Sequence, residues 1–376
     1  MRVLVSGGGT GGHINPALAI ADKIKKECPG SVIEYVGTER GLETKLVPAA
    51  GYKIHYVKVR GLQRKLTAEN IKAAVEAVTS VFQAKKIIKE FKPDIVIGTG
   101  GYVCWPVMKA AASMNIPTAV HESNAFPGVA TKMLAKCVDK ILLNFKESEE
   151  LIKAPCDKIV HVGNPVKSEM FTLSAEECRE KLGIDLGTKV LLSYGGSLGA
   201  KVLNNTVFEM ISRSMTDDGI YHIHATGNAY WEKAKQVFLE KGFSETDEST
   251  LQKGNTVIKK YIYNMPEVMA CADVVICRAG AMTVSEVSAM GKAAIFIPSP
   301  NVTDNHQYKN ALVLKNADAA ELMEEKNLTP ESLALCVNGL FSDNAKRAKL
   351  ASNVKRFADN GCLDKIYSVV NSLVKK

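Results

Sequence analysis

Long apolar runs are missing from this sequence. None approaches the roughly 18–20 residues of a membrane-spanning helix, which argues against an integral membrane protein. No CxxC pair occurs among the nine cysteines, and their number is odd. Scattered thiols of this kind read as those of a reducing cytoplasm and exclude a disulfide framework or a zinc ribbon. No DxD-type acidic pair is present to hold a divalent ion on a diphosphate. No charged start, apolar stretch and cleavage site precede the first strand, so no signal peptide is expected. Aromatic residues are scarce at 6%, so the cores are expected to be aliphatic. Charge of one sign does not dominate either: 48 Lys and Arg against 40 Asp and Glu leave +8. That excess permits a nucleotide, a lipid head group or a nucleic acid as partner, without choosing among them.

What is there is the balance of a globular chain, 46% hydrophobic and 23% charged, and 376 residues suggest two or three domains. Strand and helix alternate. Arg2–Ser6, Val32–Val36, Ile54–Val59, Asp94–Gly98, Thr118–His121 and Lys140–Asn144 read as strands, and Pro16–Glu27 and Glu69–Phe91 as helices. Such a βαβα order predicts an α/β fold with a doubly wound parallel sheet. The pattern then restarts. Val3–Ser6 runs into Gly7–Gly12, and Val190–Tyr194 runs into Gly195–Ala200, each followed by a helix. Later strands are expected at Tyr221–Ala225, Thr256–Lys259, Asp273–Cys277 and Ala293–Ile297. Two Rossmann-like domains joined near Gly163-Asn164-Pro165 follow from this, with ligands at the carboxyl ends of the strands and the two loop sets facing a shared cleft.

The loops carry the chemistry. Gly7–Gly12 offers unobstructed amides at a helix start, where an anion is favoured. Gly7, Gly9 and Gly12 also satisfy GxGxxG, the dinucleotide fingerprint, although Glu39 is only loosely where the ribose-binding acid belongs. His13 follows the last glycine; a base, an anion contact and a helix cap are all open to it. Ser197 can donate to a phosphate or cap a helix. In Arg278–Glu286, amides and Thr283 can hold a diphosphate, while Glu286 can accept both hydroxyls of a ribose or stabilise a helix start. Asp304–Tyr308, Gly98–Tyr102 and His121–Asn124 add polar groups at further strand ends, as a polyhydroxylated ligand requires. His222 and His224 share one face of a strand without a visible third ligand, which favours a structural role over a metal site.

Taken together, Gly8–His13, Gly98–Tyr102, His121–Asn124, Gly163–Val166, Gly195–Ser197, Arg278–Glu286 and Asp304–Tyr308 resemble, in order and over nearly the whole chain, the MurG family of bacterial glycosyltransferases. The resemblance implies a GT-B fold. Residues 1–163 would form the acceptor and membrane-side domain and 164–355 the UDP-sugar domain, with helix 356–376 packing back on the first. It implies inverting transfer of N-acetylglucosamine from UDP-N-acetylglucosamine to undecaprenyl-diphosphate-linked N-acetylmuramoyl-pentapeptide in peptidoglycan synthesis. Neither a cofactor nor a nucleic-acid partner is implied. Thr10, Gly11 and Gly12 would line the site near the sugar and the acceptor diphosphate, and His13 would be the base. Asn124 would contact the donor sugar, Ser197 the diphosphate and the Ile262 backbone the uracil. Ala281, Met282 and Thr283 would approach the diphosphate, Glu286 the ribose and Gln307, with His306 beside it, the sugar hydroxyls. The sequence departs from the family at Lys167, where many members have arginine, and at Ser123, Leu198 and His306, where glutamine is common. Lysine keeps the charge at position 167 but loses the bidentate fork.

The family's lipid acceptor implies contact with the cytoplasmic membrane face. Ile71, Val75, Val78 and Phe82 form an apolar stripe on Glu69–Phe91, with Lys72, Lys85, Lys86 and Lys89 around it and Arg60, Arg64 and Lys65 before it. The stripe suits an anionic leaflet, or simply faces the core. Rival readings are a UDP-N-acetylglucosamine 2-epimerase of the same fold, a nicotinamide-dependent oxidoreductase and a non-catalytic sugar-nucleotide or lipid binder.

Overall fold

The computed structural model describes residues 1–60, 68–216 and 219–375, and of residues 68–75 and 303 the backbone alone. The chain divides into two compact units, Met1–Val166 with Asp359–Lys376, and Lys167–Ala358.

In the first unit, seven parallel strands form one sheet: β1 (Arg2–Ser6), β2 (Val32–Gly37), β3 (Lys53–Tyr56), β4 (Ile95–Gly98), β5 (Thr118–Glu122), β6 (Lys140–Leu143) and β7 (Ile159–His161). Their spatial order is β3-β2-β1-β4-β5-β6-β7. The direction of winding reverses between β1 and β4, so the loops after these two strands open at the point where such sheets bind ligands. Both faces are covered. Val3 and Val5 point to one core with Ile95 and Ile97, and Leu4 points to the other with Val96, as the period of a strand requires. The C-terminal helix Cys362–Val374 joins the first of these cores through Cys362, Ile366, Val370 and Leu373, against helix Gly11–Glu27. This spacing is one helical face.

The second unit holds β8 (Lys189–Tyr194), β9 (Ile220–Ala225), β10 (Ser244–Asp247), β11 (Thr250–Lys253), β12 (Thr256–Lys259), β13 (Val274–Cys277), β14 (Ala293–Phe296) and β15 (Glu321–Leu322). The order is β10-β11-β12-β9-β8-β13-β14-β15. Without the antiparallel strands β10 and β11, the remaining six repeat the order 3-2-1-4-5-6 of the first sheet. The equivalents of β1 and β4 are therefore β8 and β13. All four residues of β10 are exposed and polar, which hides an edge strand from any hydrophobic pattern.

Two expectations change. The first helix starts at Gly11 rather than at Pro16. Thr10 is extended, and its carbonyl already accepts from the His13 and Ile14 amides, so the last glycines of the loop are wound into the helix. On helix Ala68–Phe91 the core-facing side chains are Ser80, Ala84, Ile88 and Phe91, whereas Val78 and Phe82 are 56% and 66% exposed. A core-facing role for those two is thereby excluded. Arg64, Lys65 and the side chains of Ile71, Lys72 and Val75 lie outside the described residues.

Candidate active site

In the first unit the β1 loop is braced from both sides. Gly8 N–H donates to the Gly100 carbonyl (3.3 Å), and Gly9 N–H donates to Glu43 Oε2 (3.1 Å). Two of the amides expected to face an anion are therefore used within the protein. Those of Thr10, Gly11 and Gly12 stand at the open end of helix Gly11–Glu27, where the helix itself provides no acceptor. His13 lies in the first turn and is not its cap. Its Nδ1 is 3.1 Å from the Gly8 carbonyl and 3.4 Å from Thr10 Oγ1. A carbonyl only accepts, so Nδ1 carries the proton and Nε2 the lone pair of the neutral ring. The other side of the ring rests on Gly100, where a Cβ would come within 2.7 Å of His13 Cδ2 and φ is +104°. Thr99 Oγ1 donates to the His13 carbonyl at 2.7 Å and ties the helix start to the end of β4.

At the end of β5, Glu122 is buried and accepts hydrogen bonds on both carboxylate oxygens. They come from the backbone N–H (3.0 Å) and side-chain Nδ2 (3.1 Å) of Asn124, from Gly128 N–H (2.9 Å) and from Thr131 Oγ1 (2.6 Å). Asn124 is thus oriented by the carboxylate two residues before it. His121 Nε2 donates to the Gly163 carbonyl at 2.8 Å, and burial holds the ring below its ordinary pKa.

In the second unit, Gly195–Ala200 leads into helix Lys201–Ser212, whose cap residue is Ala200. Ser197 is exposed and is not that cap, and Leu198 is 65% exposed. Gly199 (φ +81°) packs directly on the next loop: a Cβ there would be 2.1 Å from the Thr226 carbonyl oxygen. Asn204 Nδ2 donates to that same oxygen at 2.7 Å.

After β13, Gly280 is the extended cap of helix Ala281–Met290, which places the amides of Ala281, Met282 and Thr283 in the first turn. Asn310 Nδ2 donates to the Ala279 carbonyl (3.2 Å), and Arg278 is paired with Glu325, which fixes the approach to this turn. Glu286 is the sixth residue of the helix, too far along to stabilise its first turn. Burial pushes its carboxyl up to about 7, and the Lys167 ammonium opposes that shift. Lys167 is exposed and also pairs with Glu169 at 3.5 Å. Tyr194 and Cys277, adjacent across β8 and β13, are buried and feel the Glu286 charge.

Ile262 is buried between the exposed Tyr261 and Tyr263. Gln307, in helix His306–Asn316, accepts the Ser299 N–H through Oε1 (2.9 Å), so its amide NH2 is the end it can offer a hydroxyl. His306 is half-buried beside it. His222 Nε2 and His224 Nδ1 both meet Ser193 Oγ at 2.7 Å. Burial pushes both rings down to about 3, and among the described residues no cluster of three metal-ligating side chains occurs.

The sequence reading thus identified residues within both halves' strand-end loops but missed Glu43, Thr38 and Asn310. Glu39 attracted notice as an acid near β2 and is exposed; the buried acid is Glu43. Glu43 lies five residues beyond Thr38, at the start of helix Glu43–Ala49, and nothing local in the sequence marks it.

Two Rossmann-like halves with helix starts at the ends of their first and fourth strands define a two-domain, doubly wound α/β protein with an anion-favouring loop set in each half. Residues 3–143 match the glycosyltransferase family 28 N-terminal domain and residues 190–363 its C-terminal domain. A UDP-N-acetylglucosamine–N-acetylmuramyl-(pentapeptide) pyrophosphoryl-undecaprenol N-acetylglucosamine transferase of Acetivibrio thermocellus is 45% identical, with 100% of this chain and 99% of the relative covered. The crystal structure of Acinetobacter baumannii MurG superposes with a TM-score of 0.76 at 26% identity, covering 99% of each chain. A UDP-GlcNAc 2-epimerase from Neisseria meningitidis has a TM-score of 0.65 at 14% identity over 99% of this chain and 100% of its own, a likeness of fold alone. The chain belongs to glycosyltransferase family 28 and, within it, to the MurG family.

Proposed function

We propose that the protein transfers N-acetylglucosamine from UDP-N-acetylglucosamine to the 4-hydroxyl of undecaprenyl-diphosphate-linked N-acetylmuramoyl-pentapeptide, the step from lipid I to lipid II. The observation that carries this reading is the 45% identity, end to end, to a relative named for that reaction. The site chemistry agrees with it. In one displacement the muramoyl oxygen forms a bond to the anomeric carbon, the bond from that carbon to the diphosphate breaks, and the configuration inverts. His13 Nε2 takes the hydroxyl proton, a task suited to a neutral imidazole. UDP leaves with its charge stabilised by the amides of Ala281, Met282 and Thr283 and by Ser197. Glu286 accepts the ribose hydroxyls, the Ile262 backbone reads the uracil, and Asn124 and Gln307 hold the sugar. Thr10, Gly11 and Gly12 serve the acceptor diphosphate. Lys167 opposes the burial that raises the Glu286 carboxyl and adds positive charge beside the donor.

UDP release measured with and without the lipid-linked acceptor tests the assignment. Release that needs the acceptor, with the sugar recovered on the lipid, is expected. Release without acceptor would replace this reading by an epimerase or hydrolase.

The acceptor brings the protein to an anionic membrane surface. Among the described residues no helix is long and apolar enough to cross a membrane, and the proposed contact is a peripheral one. Val78 and Phe82, with Lys86 and Lys89 exposed on the same helix, form the contact, as the exposure of both apolar side chains supports. Binding to vesicles containing anionic lipid is expected to weaken in Phe82→Ser. Equal binding to neutral vesicles would remove the electrostatic part.

A further inference from the structure

The peptide group between Gly8 and Gly9 is held at both of its polar ends. Its carbonyl meets His13 Nδ1 at 3.1 Å, and its N–H donates to Glu43 Oε2 at 3.1 Å. One amide therefore stands between a carboxylate and an imidazole. Glu43 is fully buried. Its second oxygen accepts Thr38 N–H (3.1 Å) and Thr38 Oγ1 (2.8 Å), so the loop after β2 fixes the carboxylate. The space around it is filled: a Cβ on Gly8, Gly37 or Gly41 would come within 2.7, 2.7 or 1.9 Å of its atoms.

We infer that Glu43 is a positioning residue for His13, acting through the Gly8–Gly9 peptide. A hydrogen bond from an amide N–H to a carboxylate is charge-assisted and stronger than a neutral one. Linked hydrogen bonds polarise one another, so the Gly8 carbonyl becomes a better acceptor for Nδ1–H. A rotated peptide would present its N–H to Nδ1 and its carbonyl to the Glu43 carboxylate, and both contacts would turn repulsive or change tautomer. Glu43 thereby selects the tautomer with the lone pair on Nε2. In serine hydrolases a carboxylate does this by direct contact with the histidine; here one peptide lies between them. The catalytic consequence rests on the reading of His13 as base, whereas the effect on the ring does not.

The test is Glu43→Gln in the full chain. The glutamine oxygen can still accept from Thr38, but its NH2 then faces the Gly9 N–H, donor against donor. Imidazole nitrogen NMR of histidine-labelled protein, assigned through His13→Asn, reads the tautomer directly. Wild type is expected to show protonated Nδ1 and unprotonated Nε2, and the variant a mixture. Turnover should fall at least about tenfold, with KM for UDP-N-acetylglucosamine changed by less than about twofold. Thr38→Val, which leaves the contact with Gly9 in place, should keep the wild-type tautomer. If Glu43→Gln does not fold, Glu43→Asp, which shortens the reach to Gly9, is read in the same way. An unchanged tautomer, with or without loss of activity, would overturn the inference and leave Glu43 a brace of the loop. A mixed tautomer together with an active His13→Ala would uphold the positioning and overturn the base.

Discussion

The two halves share one sheet order but place their titratable group after different strands. In the first half it follows β1, where His13 sits in the opening turn of its helix. In the second half it follows β13, the equivalent of β4, where Glu286 lies in the second turn. The corresponding β8 loop carries only Ser197, and the β4 loop holds Gly100 and Thr99 against His13. A parallel sheet fixes where helix starts converge; which of them bears an ionisable side chain is free to differ. Under the proposed function, the first half would use that freedom for proton transfer and the second for holding a ribose and a diphosphate.

The sharpest way to break this division is His13→Ala. Loss of a general base should lower turnover by roughly 10²–10⁴-fold, while the donor Kd, measured by calorimetry without acceptor, stays within about twofold. Comparable losses in both would move His13 from proton transfer to donor binding.

Acid stability gives the next largest effect, most of it through a pair of buried histidines in the second half. His222 and His224 are held neutral in the folded protein, at about 3. Above the unfolded value near 6.5 both states are neutral and nothing is gained or lost. Below it the unfolded chain binds protons that the folded one refuses, so stability falls as pH drops from about 6.5 towards 3. At pH 5 this amounts to about 2 kcal/mol per histidine. Urea unfolding at pH 7 and pH 5 checks this, and a variant carrying glutamine at both positions should lose most of the difference.

Glu286 predicts a pH dependence of binding confined to the second half. If Glu286 holds the ribose as proposed, only its carboxylate form would accept both hydroxyls, and burial raises the carboxyl to about 7. Affinity for UDP should therefore rise with pH up to about 7 and level off above. Glu286→Gln should abolish that slope and weaken UDP by about 1.5–3 kcal/mol, the worth of hydrogen bonds to a charged group. A slope that survives the substitution would assign the titration elsewhere.

Two glycines give the cleanest contrast. Alanine at Gly100 meets the edge of the His13 ring, whereas alanine at Gly199 meets a backbone carbonyl at 2.1 Å. Both positions have positive φ, which costs a non-glycine residue about 1–2 kcal/mol. Gly100→Ala is expected to lose turnover beyond its loss of stability, and Gly199→Ala mainly stability, as thermal melts beside rate measurements will show.

Local pattern and tertiary structure contributed different things. The apolar run Val3-Leu4-Val5, and the repeated strand and glycine loop at Val190–Ala200, are patterns written within a few residues, so the sequence alone determined two doubly wound α/β sheets. The same short-range logic placed His13, Ser197 and Glu286 just beyond strand ends, because loop and helix start are written contiguously. It did not reveal strand Ser244–Asp247, which is exposed and is held by pairing with Thr250–Lys253. Nor did it show which side of Ala68–Phe91 is covered, since both Ala84 and Phe82 fit a helical period and only the neighbouring helix and sheet choose between them. Glu43 is the clearest case: it lies 34 residues from the Gly9 amide that it accepts. Its carboxylate acquires a role only when the ends of β1 and β2 are brought side by side, because hydrogen bonds act over about 3 Å in space and carry no signature along the chain.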